Sequence, residues 1–157
     1  MTVVREKFDA SAAFTITLAS LTNNSAREST AVDNTSALYL DALVRLQIKL
    51  QAGSPSGTIN IYAYGSEDGS NYGDNATGSD AAVTMRSPTN LVLIGVINTP
   101  TSGALTYKSQ PMTVARAFGG VLPRKWGIVV ENKCGITFDA TEGNHAKAYT
   151  GIYMESI

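Results

Sequence analysis

The sequence predicts an all-β fold: an antiparallel two-sheet sandwich, jelly-roll-like, with eight to ten strands and little or no helix. Three observations predict it. Apolar residues recur at every second position in several stretches, the period of a half-buried strand. Clusters of Gly, Pro, Asn and Ser separate those stretches at short intervals. Gly, Ser, Thr and Asn make up about a third of the 157 residues, and only 16% are charged, against roughly 25% in an ordinary soluble domain.

Taken in chain order, residues 1–11 mix charge with small side chains and lack alternation. They read as an N-terminal arm that orders against a partner, with a single sandwich domain over residues 12–157. Ala13 to Leu21 alternates Phe14, Ile16 and Leu18 against Thr15 and Thr17 and predicts a strand. Ala37 to Leu50 carries apolar residues at every even position from Leu38 to Leu50. Its length, about 45 Å if fully extended, predicts a bulge or bend. Thr58 to Tyr64 sets Ile59, Ile61 and Ala63 against Asn60, Tyr62 and Tyr64. The further predicted strands are Ala81 to Arg86, Leu91 to Ile97, Ala104 to Lys108, Met112 to Ala117, Trp126 to Glu131, Ile136 to Asp139 and Lys147 to Met154. The one plausible helical turn is Val114 to Phe118, stopped by Gly119 and Gly120. Polar residues on one face of these strands favour antiparallel pairing, because a parallel sheet covered on both sides would read as continuous apolar runs.

Composition narrows the function classes. Twelve basic and thirteen acidic side chains leave a net charge of −1, with no broad basic field for general nucleic-acid binding. No apolar run approaches the ~20 residues of a membrane-spanning helix. Arg5, Glu6, Lys7 and Asp9 occupy the place where a secretory signal needs its apolar core, so synthesis in a cytoplasm is expected. A single cysteine forms no internal disulfide and no cysteine-based zinc site. Cys134, Asp139 and His145 can be written as a nucleophilic set, but Cys134 and His145 sit in turns and no known catalytic motif accompanies them. Neither an enzyme nor a cofactor is expected.

Two features invite a binding role. The loop from Gly65 to Asp80 has sixteen residues with four acids and no base, long enough to be functional in its own right. Asp68, Ser70, Gly73 and Asp74 partly match a calcium-loop spacing, but Tyr72 and Ser79 occupy two ligand positions, so no metal is assigned. Tyr72, at the centre of this loop, has the chemistry of a contact residue. Tyr62 and Tyr64 lie opposite Ile59 and Ile61, and Tyr149 and Tyr153 lie opposite Ala148, Thr150, Ile152 and Met154. Outward-facing tyrosine pairs would suit a sugar or a protein partner; the competing reading is a second layer covering them. Trp126 is expected in the core.

The stretches NNSARESTAVDNTSALYLDALVRLQIKL, INIYAYGSEDGSNYGDNATG, LVLIGVINTP and AFGGVLPRKWGIVVENKCGITFDATEGNHAKAYTGIY resemble small β-sandwich virion structural proteins of tailed bacteriophages, of the capsid decoration or cement type. The resemblance runs from about Asn23 to the C-terminal region and carries framework strings without a catalytic motif. It implies a jelly-roll structural protein of the virion, made in the host bacterial cytoplasm, that binds and stabilises the capsid lattice. The implied partners are the major capsid protein and copies of the chain itself, as a homo-oligomer on the virion. The competing roles are a tail, adaptor or fibre component, and a carbohydrate-binding sandwich using Tyr62 and Tyr64. On the capsid reading, the contacting side chains are expected among Val3, Val4, Arg5 and Phe8 of the arm, Tyr62 and Tyr64 of the sheet, and Tyr72 and Asp74 of the long loop.

Overall fold

The computed structural model describes residues 3–101 and 105–157. Residues 1 and 2 of the predicted arm, and Ala104 of one predicted strand, lie outside them. Twelve strands build the described chain: β1 (Val4–Phe8), β2 (Ala12–Ala13), β3 (Ala26–Glu28), β4 (Val32–Asp33), β5 (Asp41–Lys49), β6 (Gly57–Ser66), β7 (Ala81–Val83), β8 (Val92–Thr99), β9 (Thr106–Lys108), β10 (Met112–Thr113), β11 (Lys125–Lys133) and β12 (Ala146–Ser156). They form two six-stranded antiparallel sheets. The first runs β1–β12–β5–β10, with β2 also on β12 and β9 also on β5; the second runs β7–β3–β11–β6–β8, with β4 also on β11.

Three strand lines are interrupted rather than doubled: β1 with β2, β3 with β4, and β9 with β10 each lie along one neighbour. Numbered as eight lines along the chain, the sheets read 1-8-3-6 and 2-7-4-5, the two interlocked Greek keys of a jelly roll. The predicted fold class is therefore the observed one. The short β7 is an addition beside β3.

The inner faces follow the alternation in the sequence. Ala42, Val44, Leu46, Ile48 and Leu50 from β5 and its extension meet Ile59, Ile61 and Ala63 from β6 and Ile128 and Val130 from β11, all essentially without solvent contact. Trp126 is fully buried as expected and joins the two sheets, with its ring 5.7 Å from Phe14 and 5.2 Å from Tyr149, both near edge-to-face.

Several predicted elements need correction. Residues 4–8, placed outside the sheet by the sequence, form the edge strand β1, paired with β12 from Val4↔Ser156 to Phe8↔Ile152. The long strand predicted over 37–50 begins only at Asp41. The Asn34 amide bonds to both backbone groups of Tyr39 and bends the chain there, which leaves Leu38 at positive φ and both Leu38 and Leu40 exposed. Ala13 to Leu21 keeps its inward Phe14, Ile16 and Leu18 but has a ladder only at Ala12–Ala13. Beyond that point it crosses between sheets, and the Thr17, Leu18 and Ala19 N–H groups donate to the carboxylates of Asp80 and Glu142. Ile136 to Asp139 is no strand and makes a single bridge, Phe138↔Leu50. The helical turn expected near Val114 is a 3₁₀ turn, Ala115–Phe118, ended by Gly119 and Gly120 at positive φ. It takes the place of the second half of the strand predicted over 112–117.

Candidate interaction surface

The first sheet ends in a two-stranded ribbon. Val3 and Ile157 exchange backbone hydrogen bonds of 3.0 and 2.9 Å, and Asp9 N–H donates to the Gly151 carbonyl. In an antiparallel ladder this phase turns the odd residues of β1 toward β12. The N–H and C=O groups of Val4, Glu6 and Phe8 then lie along the open edge. All five β1 residues are exposed.

Directly opposed residues share a face, so Val4, Glu6 and Phe8 stand beside Ser156, Met154 and Ile152. Val4, Phe8 and Met154 are 63%, 56% and 55% exposed, and Val3 and Ile157 extend the same ribbon. The opposite face carries Arg5, Lys7, Tyr153 and Glu155. Lys7 pairs with Glu155 at 2.7 Å and lies 5.9 Å over the Tyr153 ring; the Glu155 hydrogen bond holds its amine above the ordinary lysine range. At the base of the ribbon the Tyr39 hydroxyl donates to the Asp9 carboxylate. That bond pushes the Tyr39 hydroxyl up to about 12 and draws the Asp9 carboxyl down.

Two of the three other sheet edges are blunted, as edge strands need to be. β7 has three residues, and β9 and β10 are separated by Ser109, Gln110 and Pro111; the third edge, β8, runs eight residues with Val92, Leu93 and Val96 exposed, and its Leu93 carbonyl accepts from Arg116. Against that background β1 offers both unmatched backbone groups and apolar side chains.

No known family model matches this chain, and no curated protein sequence matches it.

The residues expected on the second sheet are placed differently. Tyr64 is buried, with its hydroxyl donating to the Ser29 carbonyl; Tyr62 is half-buried and donates to Glu131. Burial pushes both phenols above their ordinary range. No paired tyrosine platform is presented there. The long loop is the reason: it folds over the outer face of this sheet and makes a second small core. Tyr72 packs edge-on against Tyr64 at 5.5 Å, beside Ala26, Val83, Leu91 and Val129.

Three of the loop's four acids are held by hydrogen bonds within the chain. Asp68 accepts from the Ser70 and Asn71 N–H groups, and Asp74 from Thr89 and Asn90. Asp80 accepts from Arg27 and Thr17. Tyr72 and Asp74 thus make intramolecular contacts, whereas Val3, Val4, Arg5 and Phe8 lie together on the ribbon. Tyr149, expected to face outward, points inward onto Phe14 and Trp126; Tyr153 shares that face and stacks toward Tyr39 at 6.4 Å.

Cys134, Asp139 and His145 have separate tasks. The buried Cys134 thiol donates to the Ile136 carbonyl, and burial pushes it above the ordinary thiol range. His145 is buried between the Lys49 N–H and the Asp139 carbonyl oxygen. The Asp139 carboxylate accepts from Thr141 and Asn144. Among the described residues, no three His, Cys, Asp or Glu side chains are grouped to hold a metal ion, and no helix is long and apolar enough to cross a membrane. Ile152, Met154 and Ile157 are the surface residues that sequence reasoning missed. For Ile152 and Met154 the signal is the apolar stripe at even positions of β12, which lies on the outer face; Ile157 falls beyond that stripe.

Proposed function

We propose that this chain is a non-enzymatic structural protein of a bacteriophage virion, a capsid decoration or cement protein that binds the capsid lattice through the β1–β12 ribbon. The observation that carries the reading is the open β1 edge with Val4, Phe8 and Met154 exposed beside it. An extended segment of the capsid protein can add to such an edge, with backbone hydrogen bonds supplying affinity and alternate side chains supplying register. The resemblance of the framework strings and the rigid jelly roll support the same role.

The charges of β1 discourage unspecific self-pairing. Antiparallel pairing of two β1 strands centred on Glu6 would set Glu6 against Glu6 and Arg5 against Lys7, and like charges directly opposed are destabilising. The edge is therefore assigned to the capsid protein, and contacts between copies to the repeat of the lattice. Engaging one capsid subunit raises the effective concentration for the next, so each contact can be modest.

Quantitative mass spectrometry of purified particles tests the role. A copy number matching the capsid lattice is expected; a tail-like number would favour a tail, adaptor or fibre component, and absence from particles would sink the reading. The double substitution Val4→Asp with Phe8→Asp is expected to lower occupancy while leaving the melting temperature nearly unchanged. Undiminished occupancy would remove the ribbon from the interface.

A further inference from the structure

The outer face of the first sheet carries a trough remote in character from the ribbon. Two cavities of about 610 and 290 Å³ share Arg45, Pro111 and Ala148 and so form one continuous depression. Its floor is made of small side chains, Ala146 and Ala148, which lie opposite Gln47 and Arg45 in the ladder. Its wall is raised because the line of β9 and β10 gains one residue against β5: Gln47 pairs with Lys108, but Val44 pairs with Met112. The extra residue and Pro111 lift Gln110 and Pro111 off the ladder as a bulge, whereas the Ser109 N–H still donates to the Leu46 carbonyl at 2.9 Å. Ser109 ties that bulge down, accepting from the Leu46 N–H at 2.9 Å.

The polar side chains around this trough contrast with those of the acidic loop. Among the described residues, neither Arg45 nor Lys108 pairs with a carboxylate, and no acidic side chain lines the trough. Gln47 and Gln110 complete the polar rim. Lys108 stands opposite Gln47 and hence diagonal to Arg45. Such diagonal positions lie roughly 7–8 Å apart, and two residues of an extended chain advance about 6.6–6.8 Å. That spacing matches carboxylates at alternate positions of an extended peptide, and a continuous trough of two cavities suits an extended chain rather than one small anion.

We infer that this trough is a second binding site, for an extended peptide segment of a protein partner with acidic side chains at alternate positions. Arg45 and Lys108 each take one carboxylate, and Gln47 and Gln110 hydrogen-bond the intervening backbone. Exposed ion pairs contribute little singly, so binding is salt-sensitive and depends on both cations together.

The probe is an octapeptide alternating Glu and Thr, titrated into the isolated full-length protein at low salt and followed by amide chemical shifts. Shifts are expected at Arg45, Gln47, Lys108 and Ala148, with binding weakened at least about tenfold in the double variant Arg45→Glu with Lys108→Glu. An isomeric peptide with its acids in adjacent pairs is expected to bind more weakly. If the glutamate variant melts below the wild type, Arg45→Gln with Lys108→Gln replaces it. Unmoved amides, equal binding of the two peptides, or undiminished binding by the variant would overturn the assignment. Tighter binding of polygalacturonate would overturn it in favour of an acidic glycan. The measurement uses no particles, so its failure is distinct from failure of the capsid reading.

Discussion

Glu28 shows how one side chain governs a whole loop. Its carboxylate is fully buried on the outer face of β3 and accepts from the Thr77 N–H, the Thr77 hydroxyl and the Gly78 N–H at 2.7–3.0 Å. A carboxylate accepts at both oxygens, whereas an amide of the same shape turns an NH₂ donor toward those donors. Glu28→Gln is therefore expected to cost roughly 2–3 kcal/mol, read from the shift of the urea midpoint at unchanged slope. A cost below about 0.5 kcal/mol would mean the loop is held chiefly by Tyr72 against Tyr64. Neither role was legible in the sequence. Glu28 stands in an unremarkable polar stretch, and its partners lie about fifty positions away.

At the scale of the element, the Gly65–Asp80 loop couples stability to pH through its acids. Hydrogen bonds from the Asn71 and Ser70 N–H groups hold the Asp68 carboxyl below the ordinary range, and the Thr89 hydroxyl does so for Asp74. Burial acts to raise Asp80, but Arg27 and Thr17 outweigh it and the carboxyl is lowered. A carboxyl depressed in the folded state contributes stability above its unfolded value of 3.8 and loses it as pH falls through the folded value. The melting temperature should therefore be level from neutrality to about pH 5 and decline below about pH 4, with the amides of Ser70, Asn71 and Asn90 losing exchange protection first. A melting temperature that rises on acidification would contradict this arrangement. The loop's length and acidity were plain in the sequence. That Asp68 caps its own loop while Asp74 and Asp80 tie the loop to Asn90 and Arg27 followed only from the tertiary contacts.

At the scale of the molecule, Trp126 couples the sheets. It lies on β11 of one sheet and packs on Tyr149 from β12 of the other and on Phe14 from the crossing segment. Its indole N–H has no hydrogen-bond partner among the described residues. Removing the ring should cost about 3–5 kcal/mol for Trp126→Ala, a large share of a stability of roughly 5–15 kcal/mol. Trp126→Phe gives up ring area but also removes a buried unpaired donor, itself a cost of about 1–3 kcal/mol. Its penalty should be well under half that of the alanine variant, compared by chemical denaturation of both. Equal penalties would mean that the retained benzene ring contributes nothing and would contradict this account.

The sequence by itself determined that the chain is a β-sandwich and which side chains fill its centre. Alternation and turn residues are local signals, and the inward sets of β5 and β6 followed from them. Only the tertiary structure decided which outward residues remain outward. Tyr64 disappears beneath a loop, Tyr149 turns into the core, and Val4 to Phe8 become an edge of the sheet, because each outcome depends on what a distant segment covers. Local period assigns residues to two faces; which face meets solvent is a property of the assembled sheets.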